Sequence, residues 1–250
     1  MNNLEIIGKG ATTKVYRDGD KAVKIYVNPP PNEAENEAFL QSYAVKMGLP
    51  VPHVYGVRKI DGSMTALDME YISGRPLLHE GMGKDEGRAA IQILAKMQCE
   101  VHAVIAVGIP IQRDRLSRKI KRNKCIESDV KEKLFDLLEN LDSHSNNLCH
   151  GDFHPLNILY DGAKHWIIDW VDAVSGNPLA DACRTYIIFK QYLSRSSGIY
   201  LRHFCNEAGV KQESVLAWLP IIAAARMTER DIDNKARMFL EKIIAEYLSC

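Results

Sequence analysis

No two cysteines lie at the short spacing that thiolate metal sites and redox motifs require. The 250 residues include six cysteines, and none of them forms a Cys-x-x-Cys pair. This pattern excludes a thiolate zinc module and is unlike the dense cysteine framework of small secreted domains. We therefore expect reduced thiols, most of them buried, in a cytoplasmic protein.

Charge of one sign is not in excess either. The 32 lysine and arginine residues are balanced by 32 aspartate and glutamate residues, and no block of five or six like charges occurs. The most basic stretch, residues 113–124, has apolar residues between its charges, which is typical of a solvated helix face. The balance provides no electrostatic attraction for nucleic acid or for an anionic membrane surface, so we expect neither as a partner.

Long hydrophobic runs are also absent. One of the longest, residues 216–225, is far shorter than the roughly 18 residues that a transmembrane helix needs. The first ten residues, MNNLEIIGKG, contain neither the basic nor the apolar region of a signal peptide. A hydrophobic content of 46% over this length is enough for the core of one large domain or two small ones.

Short β-type runs separated by turn residues fill the first seventy positions. LEIIG, KVYR and KAVKIYV each predict a strand, with a hairpin turn at Asp18-Gly19. A helix is predicted over residues 34–47, after a run of prolines and before Gly48. Two or three further strands follow in VPHVYGVRKIDGSMTALDMEYI.

Helical periodicity replaces the strand pattern from Asp85 onward. The first helix has one face of helical spacing with two polar interruptions, made of Ile91, Leu94, Ala95, Gln98, Val101 and His102. Residues 115–141 and 199–249 carry similar patterns. Between them, NILYDGAKHWIIDW predicts a hairpin that turns at Asp161-Gly162.

The order of these patterns predicts the fold class. Strands that precede helices favour an α+β fold over an alternating α/β topology. We predict a small, mostly antiparallel β-lobe with one helix over residues 1–69, a hinge over 70–75, and a larger, mainly helical lobe over 76–250. The hinge falls in EYISGRP, where the strand pattern ends.

A glycine-containing turn connects the first two predicted strands. In IGKGATTKVY, Gly8, Gly10 and Val15 match three positions of a GxGxxGxV phosphate loop, and Thr13 stands where the third glycine would be. Glycine lets backbone N–H groups approach phosphate oxygens closely, which a β-carbon would prevent. The loop indicates a nucleotide phosphate site, although two glycines beside a hairpin also occur as ordinary turn residues.

Lys24 on the third predicted strand supports the nucleotide hypothesis. A lysine in this position can pair with the α- and β-phosphates of a nucleotide when a carboxylate holds it in place. Glu33 and Glu37, one turn apart on the following helix, are the candidates, and Glu37 is preferred because it lies further into the helix. The alternative is a solvated strand lysine beside two surface glutamates.

The segment CHGDFHPLNILY concentrates residues that carry chemistry. His150, Asp152 and His154 have a spacing that could ligate zinc, which would indicate a zinc hydrolase. That interpretation needs a further ligand, and the remaining histidines form no cluster. Asp152 can instead act with Asn157 and with Asp169 of IIDW, as in a kinase.

The kinase interpretation gives each of these residues a role. Asp152 would accept the proton of a substrate hydroxyl, and oxygens of Asn157 and Asp169 would hold Mg²⁺ against the nucleotide phosphates. A tight hairpin between Asn157 and Asp169 would bring the two ligands together. Because these residues follow the glycine loop and Lys24 in the order of a kinase, we favour this interpretation over zinc.

LCHGDFHPLNILY, followed by WIIDWVDAVSGNPLADACRTY, closely resembles the aminoglycoside phosphotransferase and choline kinase family of small-molecule kinases. The resemblance implies a two-lobed, protein-kinase-like fold. It implies Asp152 as the catalytic base and Asn157 and Asp169 as Mg²⁺ ligands. Asp181 looks like the family's structural aspartate, which supports the catalytic loop, and His150 looks like a scaffold residue there.

The resemblance also implies a nucleotide site in the first lobe. Lys24 would bind the phosphates of ATP or GTP while a helix glutamate holds it. Backbone groups from Glu70 to Ile72 would bind adenine.

The expected activity is transfer of the γ-phosphoryl group of ATP or GTP to a hydroxyl of a small molecule. Only eleven residues, 170–180, separate Asp169 from Asp181, which leaves little room for an activation loop that docks a peptide. The acceptor stays open between an aminoglycoside, a sugar, an amino alcohol and a nucleoside. A nucleotide-binding regulator of the same fold without turnover is the alternative. We expect a monomer or a weak homodimer.

Overall fold

The structure, a computed structural model, describes residues 5–10, 13–62, 64–142, 144–229 and 232–248. Ten strands lie in these ranges: β1 (Glu5–Lys9), β2 (Thr13–Asp18), β3 (Lys21–Val27), β4 (Val54–Asp61), β5 (Met64–Glu70), β6 (Arg75–Pro76), β7 (Asn147–Cys149), β8 (Ile158–Tyr160), β9 (His165–Ile167) and β10 (Val174–Gly176). The same ranges contain nine α-helices: α1 (Glu33–Lys46), α2 (Lys84–His102), α3 (Gln112–Arg122), α4 (Ser128–Leu141), α5 (Pro178–Tyr192), α6 (Ser194–Ala208), α7 (Gln212–Leu216), α8 (Leu219–Arg226) and α9 (Asn234–Leu248).

The chain divides into two compact units. The first extends to Glu80 and includes Pro155–Asp172, and the second consists of Gly81–His154 and Ala173–Cys250. The later segment joins the first unit because β8 pairs with β6 on one side and with β9 on the other. The predicted hinge at 70–75 lies inside the first unit, and its role as a hinge stays a prediction.

Five antiparallel strands form the sheet of the first unit, in the order β1-β2-β3-β5-β4. β3 lies at the centre, and its residues from Ala22 to Tyr26 are all buried. The apolar residues on both sides of Lys24, with β-branched Val23 and Ile25 among them, suit a central strand that is covered on both faces. The three predicted strands and the hairpin at Asp18-Gly19 are confirmed.

Helix α1 packs against β4 and β5 of this sheet. It occupies Glu33–Lys46, within one residue of the predicted 34–47, and the chain leaves it through Gly48 in the left-handed region at φ +80°. Its buried face includes two polar residues, Glu37 and Gln41. Gln41 is satisfied by donating to the carbonyl of Pro52 at 2.8 Å, and Glu37 forms part of the site described below.

The second unit is built mainly of helices. All six residues of the predicted α2 face are buried, including the polar pair Gln98 and His102. The predicted helical stretch 115–141 forms two helices, because buried Asn123 donates to the carbonyl of Ala224 and accepts from the N–H of Cys125, both at 2.9 Å. An antiparallel sheet first and helices afterwards confirm the predicted α+β class.

The hydrophobic residues of the described helices are divided among several helices. Nowhere in the part of the chain that the structure describes does a helix reach both the length and the apolar character needed to cross a bilayer.

Candidate active site

Lys24 is the centre of a buried ion-pair cluster in the first unit. Its Nζ lies 2.8 Å from Oε1 of Glu37 and 2.9 Å from Oε2, and a third contact of 2.9 Å joins it to Oδ1 of Asp169. Only 10% of the Lys24 side chain is exposed, compared with 39% for Asp169. The contact predicted between Lys24 and Glu37 is therefore present, and Glu33 is not its partner.

The two carboxylates keep Lys24 charged. Burial alone would lower the pKa of Lys24, but Glu37 and Asp169 raise it above its ordinary value. Burial raises the pKa of Glu37, and the ammonium of Lys24 opposes that rise. A positive charge is thus held in a fixed place beside a partly exposed carboxylate.

Tyr26 adds a second donor to Glu37. It lies two residues after Lys24 on β3, so the two side chains share one face of the strand. The Tyr26 hydroxyl donates to Oε2 of Glu37. The sequence places Tyr26 on this face but assigns it no role, because an aromatic residue on a strand is explained equally well by packing.

Asn157 and Asp169 lie at the same end of the β8–β9 hairpin. Ile158 pairs with Ile167, and the N–H of Ile168 donates to the carbonyl of Asn157 at 3.0 Å. The predicted hairpin with its turn at Asp161-Gly162 is thereby confirmed. Sequence positions twelve residues apart are brought together because the turn is tight.

Asp169 has an unusual backbone. Its φ of +66° lies in the left-handed region of backbone conformation, which residues other than glycine adopt at some cost in free energy. Aspartate and asparagine tolerate this region better than most residues. The conformation occurs two residues after the end of β9, at the residue that contacts Lys24.

The predicted phosphate loop is described only in part, because Ala11 and Thr12 lie outside the described residues. Gly8 pairs with Val15 across β1 and β2, and the N–H of Gly10 donates to the carbonyl of Thr13 at 2.9 Å. A β-carbon on Gly10 would lie 2.7 Å from Oγ1 of Thr13. This turn therefore needs glycine for local packing, and phosphate binding by Gly8 and Gly10 stays a prediction.

The segment predicted to bind adenine follows β5. The N–H of Glu70 donates to the carbonyl of His53 at 2.8 Å, and its carboxylate accepts from the N–H of the same residue at 3.1 Å. The carbonyl of Ile72 accepts from the N–H of Gly74 at 3.0 Å. Glu70 thus connects the end of β5 to His53 through its backbone N–H and its carboxylate. The roles of Glu70 and Ile72 toward adenine stay predictions.

The predicted catalytic loop around Asp152 belongs to the second unit as far as His154. Gly151, at φ +81°, donates its N–H to Oδ1 of buried Asp181 at 2.8 Å. The N–H of Asp152 donates to Nδ1 of His150, which is fully buried. The scaffold contact that the resemblance implies for Asp181 is present, and His150 supports the loop from inside.

Asp181 is held by the two polar residues of the α2 face. Nε2 of His102 lies 2.9 Å and Nε2 of Gln98 lies 3.1 Å from Oδ2 of Asp181. Burial alone would raise the pKa of Asp181, but the contacts with His102 and Gln98 and the nearby His150 hold it below its ordinary value. Gln98 and His102, the two polar residues on the otherwise apolar face of α2, thus form hydrogen bonds with a buried carboxylate.

Two basic side chains flank Asp152. Nη2 of Arg184 donates to Oδ1 at 3.0 Å, and Nε2 of His154 lies 3.3 Å from Oδ2. Burial alone would raise the pKa of Asp152, but Arg184 and His154 hold it well below its usual range. The carboxylate is therefore ionised and oriented from both sides.

Arg184 connects Asp152 to a second carboxylate, Glu229. Glu229 accepts from Arg184, from Lys119 at 2.9 Å and from Arg226 at 2.7 Å. This cluster was not predicted from the sequence. The available signal was that Arg184 lies three residues after Asp181 on one helix, so that both reach toward the catalytic loop from the same face.

The zinc interpretation is not supported by the geometry of the described residues. Among them, the one group of three side chains whose ligand atoms lie within 4.8 Å of one another is His102, Cys149 and Asp181, all buried. The pKa of the Cys149 thiol is raised by burial and by Asp181, so this thiol stays protonated. His150 accepts a backbone N–H through Nδ1, which points that nitrogen into the loop.

Several solved structures have the same fold. A thermostable mutant of the aminoglycoside phosphotransferase APH(4)-Ia, in a ternary complex with ADP and hygromycin B, matches with a TM-score of 0.73 and 14% identity, over 99% of this chain and 93% of that one. Choline kinase LicA from Streptococcus pneumoniae matches with a TM-score of 0.70 and 14% identity, over 99% and 93%. A choline/ethanolamine kinase family protein from Mesorhizobium loti matches with a TM-score of 0.67 and 19% identity, over 99% and 87%.

These likenesses confirm the predicted protein-kinase-like fold of the small-molecule kinases. No curated protein sequence is significantly similar to the chain. The model of the phosphotransferase enzyme family matches residues 3–216, which is most of the chain. The chain therefore belongs to the phosphotransferase enzyme family.

Proposed function

We propose that this protein transfers the γ-phosphoryl group of ATP or GTP to a hydroxyl group of a small molecule. The observation that best supports this activity is the position of Lys24, whose ammonium contacts both Glu37 and Asp169. A lysine fixed by a helix glutamate next to a metal-binding aspartate is the phosphate-recognition arrangement of kinases. Gly8 and Gly10 would cover the phosphates, and backbone groups from Glu70 to Ile72 would bind the base.

Asn157 and Asp169 fit a magnesium ion. The hairpin places an amide and a carboxylate at one end of a two-stranded ladder, and hard oxygen ligands of this type are those that Mg²⁺ prefers. Two protein ligands suffice, because Mg²⁺ keeps several waters and binds phosphate oxygens directly. When bound, Mg²⁺ would neutralise charge on the β- and γ-phosphates.

Asp152 would receive the acceptor hydroxyl. In the transfer, the bond between the γ-phosphorus and the β–γ bridging oxygen breaks, and a new bond forms between that phosphorus and the acceptor oxygen. The hydroxyl proton passes to the Asp152 carboxylate, and the nucleoside diphosphate leaves. Because Arg184 and His154 keep the pKa of Asp152 low, its main contribution is to orient the hydroxyl, and it takes the proton late.

A small acceptor is favoured over a peptide. Only residues 170–180 separate Asp169 from Asp181, and α5 already begins at Pro178. The structurally similar APH(4)-Ia complex contains hygromycin B, and another similar structure is the choline kinase LicA. We infer that this chain likewise accepts a small hydroxyl compound.

An acceptor panel tests this function. The intact protein would be incubated with Mg²⁺-ATP and, in parallel, with Mg²⁺-GTP and a set of aminoglycosides, sugars, amino alcohols, hydroxy acids and nucleosides. We expect at least one hydroxyl compound to gain a phosphoryl group, detected by mass spectrometry. Tight nucleotide binding without transfer to any acceptor would instead identify a regulator without turnover.

A further inference from the structure

Three cations meet at Glu229 in the second unit. Oε1 of Glu229 accepts from Lys119 at 2.9 Å and from Arg184 at 2.5 Å, and Oε2 accepts from Arg184 at 3.3 Å and from Arg226 at 2.7 Å. Arg184 also reaches Asp152. Both oxygens of Glu229 are thus engaged by positive side chains of this protein, and one of these side chains contacts the proposed base.

The charge of this cluster is positive. Lys119, Arg184 and Arg226 contribute three positive charges, and Asp152 and Glu229 contribute two negative ones. Burial alone would raise the pKa of Glu229, but the three cations lower it to about 2. Positive side chains, Arg184 first among them, also keep the pKa of Asp152 low. Two carboxylates with lowered pKa values side by side indicate that cations dominate their surroundings.

Two of the three cations are accessible. The side chain of Lys119 is 28% exposed and that of Arg184 is 13% exposed, whereas Arg226 is 4% exposed. Lysine carries three N–H donors and arginine carries five. Lys119 and Arg184 donate to the same oxygen of Glu229, so their cationic groups lie close together, and Arg184 also contacts Asp152.

We propose that the acceptor carries an anionic group, a carboxylate or a phosphate, close to the hydroxyl that is phosphorylated, and that Lys119 and Arg184 bind this group. The inference rests on the proposed function, because it is the role of Asp152 that places the acceptor hydroxyl beside Arg184. It narrows the acceptor to hydroxy acids and phosphorylated alcohols or sugars.

A cationic acceptor does not match the same surroundings. An ammonium group that approaches Asp152 meets Arg184 on Oδ1 and His154 near Oδ2. Glu229, the next carboxylate in the cluster, already accepts from three cations. An added positive charge would face like charges in a partly buried place, which is unfavourable. A negative charge would gain charge-assisted hydrogen bonds from Arg184 and Lys119.

Matched acceptors test the inference with the unmodified protein. Two series keep the number of carbon atoms and change the charged group: glucose, gluconate, glucose 6-phosphate and glucosamine, and glycerol, glycerate, glycerol 3-phosphate and serinol. Binding of each compound would be measured by titration calorimetry and phosphorylation by mass spectrometry with Mg²⁺-ATP. The carboxylate and phosphate members separate the two sources of negative charge.

Variants of Lys119 then locate the anion. Lys119 touches Glu229 but is not in contact with Asp152 through its described hydrogen bonds. We expect Lys119→Met to raise KM for the anionic acceptor by about 10- to 100-fold with little change in kcat. The substitution removes one charge-assisted contact that stabilises the bound acceptor equally before and during phosphoryl transfer. Lys119→Arg should restore most of the affinity. Lys121→Met, an exposed lysine on the same helix, is the matched control.

The outcomes separate this inference from the proposed function. Binding and phosphorylation of acids, weakened by Lys119→Met and not by Lys121→Met, support both. Binding of acids without phosphorylation supports the anionic site and contradicts the phosphotransferase activity. Phosphorylation of an amine or a neutral compound in preference to its acidic counterpart contradicts the anionic site alone. Absence of binding by every acid contradicts it as well.

Discussion

At the scale of single residues, the feature with most chemical consequence is the pair formed by Asp152 and Arg184. The carboxylate is largely buried, yet the contact with Arg184 keeps it ionised. A base that stays ionised through the acid range imposes no acid limb on catalysis. Besides its proposed contact with the acceptor, the arginine therefore acts through Asp152, which it positions and keeps ionised.

Replacing Arg184 should make the activity sensitive to acid. In Arg184→Met, burial of Asp152 is no longer opposed by the guanidinium, so its pKa rises. The ionised form is then lost as pH falls through that higher value, and kcat/KM, measured between about pH 5 and pH 8, should acquire an acid limb.

The conservative variant Arg184→Lys serves as the comparison for this prediction. It keeps a positive charge near Asp152 and should return most of the profile to that of the unmodified protein, although it loses the planar fork of arginine. A uniform loss of activity at every pH in Arg184→Met, with no new limb, would contradict the role of Arg184 in keeping the pKa of Asp152 low.

The Lys24–Glu37 pair supplies a second prediction at this scale. Glu37→Gln removes the carboxylate that holds Lys24 and leaves its ammonium with Asp169 alone. We expect nucleotide affinity to fall by about tenfold or more, measured by calorimetry, because a charge-assisted contact is worth about 1.5–3 kcal/mol.

Glu33→Gln is the matched control, since Glu33 lies one turn earlier on α1 and has no contact with Lys24. The two variants would have equal nucleotide affinity if Lys24 took no part in binding. That result would contradict the assignment.

At the scale of secondary structure elements, the β8–β9 hairpin decides where the predicted metal ligands lie. Asp161 fixes its turn by accepting from the N–H groups of Ala163 and Lys164 and from the indole of Trp166. Gly162 follows with φ +100°, a conformation that other residues rarely adopt. The turn therefore depends on both members of the Asp-Gly pair.

Gly162→Ala should destabilise the protein and weaken the site. Alanine at this φ is strained, and we expect a loss of about 1–2 kcal/mol in the free energy of unfolding, measured by urea denaturation. Magnesium-dependent nucleotide binding should weaken in parallel, because Asn157 and Asp169 flank the hairpin.

Gly87→Ala offers a control of opposite sign. Gly87 lies inside α2 with open space around its Cα, so alanine there should stabilise the protein by about 0.5–1 kcal/mol. If both substitutions changed stability in the same direction, the strain assigned to Gly162 would be refuted.

Elements defined by local pattern could be predicted from the sequence. The strands before and after Asp18-Gly19, helix α1 and the hairpin at Asp161-Gly162 all carry turn or capping residues beside the repeating pattern. The break at Asn123 was not predicted, because it depends on a bond to Ala224, about a hundred residues away. The pairing of β6 with β8 is equally nonlocal.

At the scale of the whole molecule, the difference between local motifs and long-range contacts also decides which residues of the site could be predicted. Lys24, Asn157 and Asp169 could be predicted as site residues because each lies in a local motif. Arg184, Glu229 and Lys119 were missed because their contacts span 45 and 110 residues of sequence and no short motif contains them.

Glu229 also contributes to global stability. It joins α3, α5 and the end of α8 through Lys119, Arg184 and Arg226. Its pKa falls from an ordinary value of 4.5 to about 2 on folding, which corresponds to about 3 kcal/mol of stability. Because the folded pKa is the lower one, this contribution is complete above about pH 4.5 and is lost as pH falls toward 2.

Glu229→Gln should therefore destabilise the protein most near neutral pH. The difference in unfolding free energy from the unmodified protein should shrink on acidification, as measured by denaturation at a series of pH values. Glu241→Gln, an exposed glutamate on α9, should change little at any pH. A difference for Glu229→Gln that is constant with pH would contradict the ion-pair role.

The activity of Asp152→Asn is the most direct test of the central claim that the chain is a phosphotransferase with Asp152 as its base. Transfer from Mg²⁺-ATP to the acceptor found in the panel would be measured for this variant and for Asp136→Asn, an exposed control on α4, with nucleotide affinity measured beside it. We predict that Asp152→Asn lowers kcat by about 10²- to 10⁴-fold while nucleotide affinity is unchanged. Equal turnover in Asp152→Asn and the unmodified protein would contradict the account.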